Sequence, residues 1–214
     1  MNYENKPSGY YDNVRYEMLK YLPSTAKKIL EVGCGNGCFA EVMKKQNSAE
    51  VWGIELMENE AAVAAETLDK VYAGEVEKFI GELPENYFDA IYFNDVIEHL
   101  YNPYQVIEQL KSKLTANGVI ISSIPNIRYH SAFRMFLFNK DWKYDEYGIM
   151  DFTHIRFFTK KSIVRMYEAA GFDIVKHEGI NKSRSLKPIL YNILFLGTQL
   201  DIFNAQYATV ARKK

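Results

Sequence analysis

The chain has 214 residues, with 26 Lys and Arg against 27 Asp and Glu and a formal net charge of −1. The length suits one well-cored domain, and balanced charge without a long basic run argues against a phosphate-backbone footprint for nucleic acid. Cys34 and Cys38 are the two cysteines, too few for a structural zinc site, and residues 1–7 lack a signal peptide's apolar core; reduced thiols in a cytoplasmic protein are expected.

Tyr10, Val14, Met18 and Leu22 recur at helical spacing and predict an amphipathic helix over 9–22, ended by Pro23, within an amino-terminal cap over 1–27. Residues 28–32 are short, apolar and partly β-branched, a buried strand. Gly33, Gly35 and Gly37 follow, then a helix from about Phe39 to Lys45. A second strand over 51–55 ends on Glu55, and an alanine-rich helix covers 59–68. Further strands are expected at 70–73, 90–93, 119–124, 172–177 and 206–211, with a helix over 159–170 closed by Gly171. Strands alternating with helices predict a doubly wound, Rossmann-like α/β sheet with helices on both faces, as a single domain over 1–214. Two segments fall outside it. Residues 126–158 are rich in aromatic, His and Arg residues and read as a lid or substrate-binding insertion. Residues 181–204 hold an apolar run from Pro188 to Leu196, too short to span a bilayer. It is expected on the core or at a homodimer face, without stable membrane insertion.

The glycines lack a Cβ, tolerate positive φ and let a ligand approach the backbone. Glu55, at the end of the next strand, can accept both hydroxyls of a ribose. A nicotinamide fingerprint starting at Gly33 would need glycine at position 38, where Cys38 stands.

Glu31-x-Gly33-x-Gly35-x-Gly37 resembles motif I of the class I S-adenosylmethionine-dependent methyltransferases. Residues 88–100 resemble that family's fourth strand and the segment after it. Residues 110–125 resemble its helix, Asn-Gly turn and fifth strand. The resemblance runs in order from about Tyr21 to Gly179. It implies seven strands, the last antiparallel, and S-adenosylmethionine as cofactor. Glu31, Gly33, Cys34, Gly35 and Gly37 would then form the loop against its methionine part, with Glu55 on the ribose and Leu56 on the adenine. It further implies Glu75 and the Val76 N–H near the adenine amino group, and Asn94 and Asp95 near the ammonium.

Methyl transfer to oxygen needs a base, and histidine titrates near neutrality. His154 lies in a stretch similar to one common among bacterial methyltransferases, some from surface-polysaccharide gene neighbourhoods. Alternation there would put Asp151 and Thr153 on one face, and Phe152, His154 and Arg156 on the other. His154 is one candidate base, with Asp151 and Arg156 binding substrate or bracing the lid; His99 is the other. Asp95, Glu98 and His99 also resemble the metal-binding pattern of ubiquinone-pathway O-methyltransferases. The same Glu-His pair occurs in family members without metal, and none is expected. Tyr11 and Arg15 are candidate substrate-side residues of the cap. The expected activity is O-methylation of a sugar or similar hydroxylated small molecule. A sugar N-methyltransferase and a non-catalytic cofactor-binding module are the alternatives.

Overall fold

The computed structural model describes residues 14–214. Seven strands form one sheet: β1 (Lys28–Val32), β2 (Glu50–Glu55), β3 (Lys70–Ala73), β4 (Phe88–Asn94), β5 (Leu114–Pro125), β6 (Phe172–Lys182) and β7 (Asn204–Lys213). Their order is β3-β2-β1-β4-β5-β7-β6. The first five pair in parallel, while β7 runs antiparallel to both β5 and β6. The helices among the described residues are α1 (Tyr16–Leu19), α2 (Cys38–Asn47), α3 (Glu58–Ala64), α4 (Val76–Phe79), α5 (Pro103–Leu110), α6 (His130–Arg134), α7 (Lys160–Ala169) and α8 (Lys187–Leu194). No helix among the described residues is long and apolar enough to cross a membrane.

The period-two alternation of strand side chains divides the core into two layers. Leu30, Ile91, Phe93 and Ile120 point to the face covered by α5 and α7, where Val106, Leu110, Ile163 and Met166 meet them. Ile29, Ala90, Tyr92 and Ile121 point to the opposite face, against Phe39 and Met43 of α2 and Met18 of α1. Local chemistry sets the helix starts. Asn102 caps α5 by accepting from Gln105 N, with proline at the first helical position. Thr159 and Ser162 form a capping box at α7.

Three expectations change. The helix expected over 9–22 is, among the described residues, the single turn α1; positions 9–13 lie outside them. Arg15, at φ −81° and ψ 64°, is not helical. Arg15 is bonded to Asp95, and Tyr21 Oη donates to Glu178 Oε1 at 2.5 Å, so tertiary bonds override the periodicity. The helix expected over 59–68 stops at Ala64, and Leu68 is buried beyond its end. The strand at 172 continues to Lys182, with a register shift between Ile174 and Lys176. The 126–158 insertion is pinched at its base by a bridge between Asn126 and Phe158 and carries α6 and a π-helical turn, Met135–Asn139.

Gly33 sits at φ +74°, where a Cβ would overlap Val96 Cγ2. Gly33→Ala should therefore destabilise the fold by about 1–3 kcal/mol in urea unfolding, from backbone strain plus overpacking. Adding Val96→Ala should recover only the steric part, since φ stays positive.

Candidate active site

The chain order reverses between β1 and β4, so the connections after these strands leave in opposite directions and open a crevice at their carboxyl ends. The glycine turn lies there. Gly33 N donates to the Ile54 carbonyl at 2.7 Å, and Gly35 N donates to Glu55 Oε2 at 2.8 Å. Glu55 Oε1 accepts from Met57 N at 3.0 Å. Glu55 thus ties the turn after β1 to the end of β2, and burial pushes its carboxyl above the ordinary carboxylate range. Gly37 (φ +81°) begins α2, and a Cβ there would press on Ala64. Cys34 is buried beneath the turn, its thiol pushed up by burial; neither cysteine is in a disulfide.

Glu31, on β1, is buried beside Asn94, whose Nδ2 donates to Glu31 Oε1 at 3.3 Å. Glu31 Oε2 and Asn94 Oδ1 have no hydrogen-bond partner. Burial, reinforced by the nearby Glu55, pushes the Glu31 carboxyl up to about 8. Two orphaned acceptors at a glycine turn suit a cationic donor such as an ammonium.

Asp95 follows β4 in the left-handed region at φ +56°. Its carboxylate pairs with Arg15 and accepts from Ser123 Oγ at 3.1 Å and Gln206 Nε2 at 2.6 Å. Arg15 is itself buried and also donates to Gln206 Oε1 at 2.9 Å. Gln206 gave no signal in the sequence, because it reaches the site only through the antiparallel placement of β7.

The turn Ile97–His99 meets the end of the 126–158 segment. The Glu98 carbonyl accepts from the N–H groups of Ile155 (3.1 Å) and Arg156 (3.0 Å), and His99 Nδ1 lies 3.0 Å from the Thr153 carbonyl. These bonds bring the His99 and His154 rings to 4.7 Å, edge to face. His154 Nδ1 lies 2.9 Å from the Ile149 carbonyl. A carbonyl only accepts, so both Nδ1 atoms donate. His154 Nε2 is 3.8 Å from Glu98 Oε1. Glu98 is buried, neither carboxylate oxygen has a hydrogen-bond partner, and burial pushes the carboxyl up to about 8.

The alternation expected over 151–156 is corrected. Asp151 Oδ1 accepts from Thr153 N (2.8 Å) and Thr153 Oγ1 (2.7 Å), which curls the chain into a turn. His154 is consequently buried with Asp151 and Thr153, while Phe152 and Arg156 face outward. The expected metal pattern changes in the same way. Asp95 is engaged by Arg15, and Glu98, His99 and His154 instead bring one ligand atom each within 4.8 Å of one another. That set is suited to a divalent cation.

The remaining candidates lie at the rim. Arg156 donates to the Tyr101 carbonyl at 2.6 Å from Nη2 and lines a cleft of roughly 380 Å³ with Tyr101, Tyr104 and Phe157. Leu56 is exposed beside Glu55. Glu75 is an exposed residue before α4, paired with Lys78 at 3.1 Å, and Val76 is buried behind it. Tyr11 lies outside the described residues. His130 bonds Ser183, and His177 stacks on Tyr207, both away from the cluster.

A family model described as a methyltransferase domain matches residues 6–177. The ubiquinone biosynthesis O-methyltransferase of Histophilus somni is 33% identical over 116 residues, covering 48% of this chain and 46% of that protein. The malonyl-[acyl-carrier protein] O-methyltransferase of Halalkalibacterium halodurans is 25% identical over 210 residues, covering 86% of this chain and 76% of that protein. The chain thus spans about half the length of the first of these relatives. Among solved structures, a SAM dependent methyltransferase from Archaeoglobus fulgidus matches with a TM-score of 0.70 at 19% identity over 92% of each chain, a likeness of fold.

The raised Glu31 carboxyl has a consequence for stability. The folded form holds a proton that the unfolded chain releases near its ordinary value of 4.5. Stability from this group is full below that pH and falls as pH rises toward about 8. Glu31→Gln should flatten the decline of melting temperature across that window; the same decline in the variant would show that Glu31 does not contribute.

Proposed function

Because the chain belongs to the class I S-adenosylmethionine-dependent methyltransferases, we propose that it methylates an oxygen of a small hydroxylated molecule, a sugar or similar metabolite. The observation that carries this reading is the buried meeting of His154, His99 and Glu98 just past the end of β4. The two relatives above are both O-methyltransferases by name although their substrates differ, which supports oxygen as acceptor.

The residues present fit the cofactor. The orphaned oxygens of Glu31 and Asn94 suit its ammonium, Gly33 leaves no room for a side chain, and Glu55 has the charge and position to accept from ribose hydroxyls. When bound, S-adenosylmethionine supplies an electrophilic methyl group on a sulfonium. Gly35 and Met57 hold the Glu55 carboxylate in place before the ligand arrives, which limits the reorganisation binding requires. Leu56 and Val76, with Glu75 at the rim, flank the adenine side.

On the acceptor side, His154 is the base. Its Nδ1–H is anchored on the Ile149 carbonyl, so Nε2 is the nitrogen that would take the acceptor hydroxyl's proton. Glu98 Oε1 lies 3.8 Å from that nitrogen and, once ionised, would pair with the imidazolium. His99 packs the ring from the side, and Asp151 holds the turn that presents it. Arg156, two residues from His154 and lining the outer cleft with Tyr101 and Tyr104, would meet any part of the acceptor that extends there, and Arg15 closes over Asp95 from the amino-terminal side. The Glu98–His99–His154 set supports a second reading, in which a divalent cation orients the acceptor oxygen.

Glu55→Ala should weaken S-adenosylhomocysteine binding by about 10- to 100-fold in calorimetry with the circular dichroism spectrum unchanged, the loss expected for hydrogen bonds to a charged group. His154→Ala should lower kcat by about 10²–10⁴ while leaving cofactor affinity at the wild-type value. Wild-type turnover in that variant would remove His154 as base. Activity abolished by EDTA and restored by a divalent ion would favour the metal reading. No turnover across a broad panel of hydroxylated and amino acceptors, with cofactor binding intact, would favour a non-catalytic module.

A further inference from the structure

The lid and the 181–204 segment together form a second surface. α6 and the π-helical turn after it pack on α8 and its carboxyl end through aromatic rings: Phe138 of the turn stacks on Tyr191 at 5.6 Å, and Phe133 of α6 meets Phe195 at 5.8 Å. These contacts use only the inner face of each element. Of α8, Pro188 and Asn192 are buried, whereas Leu190, Ile193 and Leu194 are each more than 60% exposed. Leu196, just beyond the helix, is 90% exposed, and Phe136 stands out from the turn beside it. An apolar face this dense is uncommon on a surface that meets only water.

Its charge is mainly basic, with Asp141 and Asp201 closing the two segments. Residues 126–140 contain Arg128, Arg134 and Lys140 and no acidic residue; residues 182–200 contain Lys182, Arg184 and Lys187 and again none. Arg128 is paired with Asp201, but the other five are exposed and make no ion pair with the described residues. The whole chain is slightly acidic, so this clustering is local. Leucine and isoleucine flanked by exposed lysine and arginine make up the pattern of an interfacial helix.

We infer that the face formed by α6, its π-helical turn and α8 docks on an anionic lipid bilayer, lying in the interface without crossing it. A bilayer offers both required partners at once, an apolar layer for the leucines and a negative surface for the basic rim. A symmetric second copy offers only the first, because an isologous dimer would set this basic rim against itself. The face adjoins the carboxyl edge of β5: Asn126 donates to the carbonyls of Asp201 and Asn204, both at 3.0 Å. The inference does not depend on the acceptor proposed above, since its test reads binding alone.

The full chain would be sedimented with vesicles of phosphatidylcholine and with vesicles in which phosphatidylglycerol replaces part of the lipid. Sedimentation with the anionic vesicles alone, reduced by added salt, is the expected result. Leu190→Ser/Ile193→Ser and Arg184→Glu/Lys187→Glu should each weaken binding by about tenfold or more at unchanged melting temperature. Absence of sedimentation, or equal sedimentation of the wild type and both variants, would overturn the inference. So would a stable dimer in light scattering that Leu190→Ser/Ile193→Ser dissociates, which would assign the face to a second copy.

Discussion

Everything at the site depends on one topological constraint: β1 lies between β2 and β4, so successive connections run to opposite sides of the sheet. Parallel strands require crossovers, and where the winding reverses no crossover covers the strand ends. The glycine turn, Glu55, Asn94 and Asp95 all sit at that opening, although they come from three separate strands. The Gly35–Glu55 hydrogen bond then fixes the turn across the β1–β2 boundary.

The site places two carboxyl groups where water cannot reach them. Glu31 and Glu98 are both buried with orphaned oxygens, and burial raises both to about 8. Neither is neutralised by a close ion pair. Groups of this kind cost stability in the empty protein, and they gain most from a positively charged partner. One lies toward the glycine turn and the other toward the histidines, so the two ends of the crevice are each prepared for positive charge.

Much of this was legible in the sequence where interactions are local. The strand at 28–32, the glycine spacing and the carboxylate at 55 are encoded within one βαβ stretch, and the structure keeps their order. The run from Pro188 to Leu196 was visible as apolar, but periodicity alone cannot tell a core helix from an outward one. What escaped were long-range bonds. Arg15 reaches Asp95 across 80 residues, and Gln206 joins them from β7, so neither the break in the amino-terminal helix nor the polar floor under Asp95 had a local signature. The stretch 151–156 looked like a strand because its residues alternate. The Asp151 side chain bonded Thr153 instead and turned the chain, a competition that side-chain oxygens often win against extended structure.

Asn126 has a role that reaches past its size. It is fully buried; its backbone N–H goes to the Ala205 carbonyl, its side-chain amide to Asp201 and Asn204, and its Oδ1 accepts from Arg128 N. Arg128 then returns to Asp201. The lid and the start of β7 are thereby joined through one side chain, although some 75 residues separate them. The two segments are held as one unit by that joint. A recombination that exchanged residues 126–158 between homologues without residues 199–205 would sever a buried polar joint. An exchange of one segment is therefore expected to need a matching change in the other.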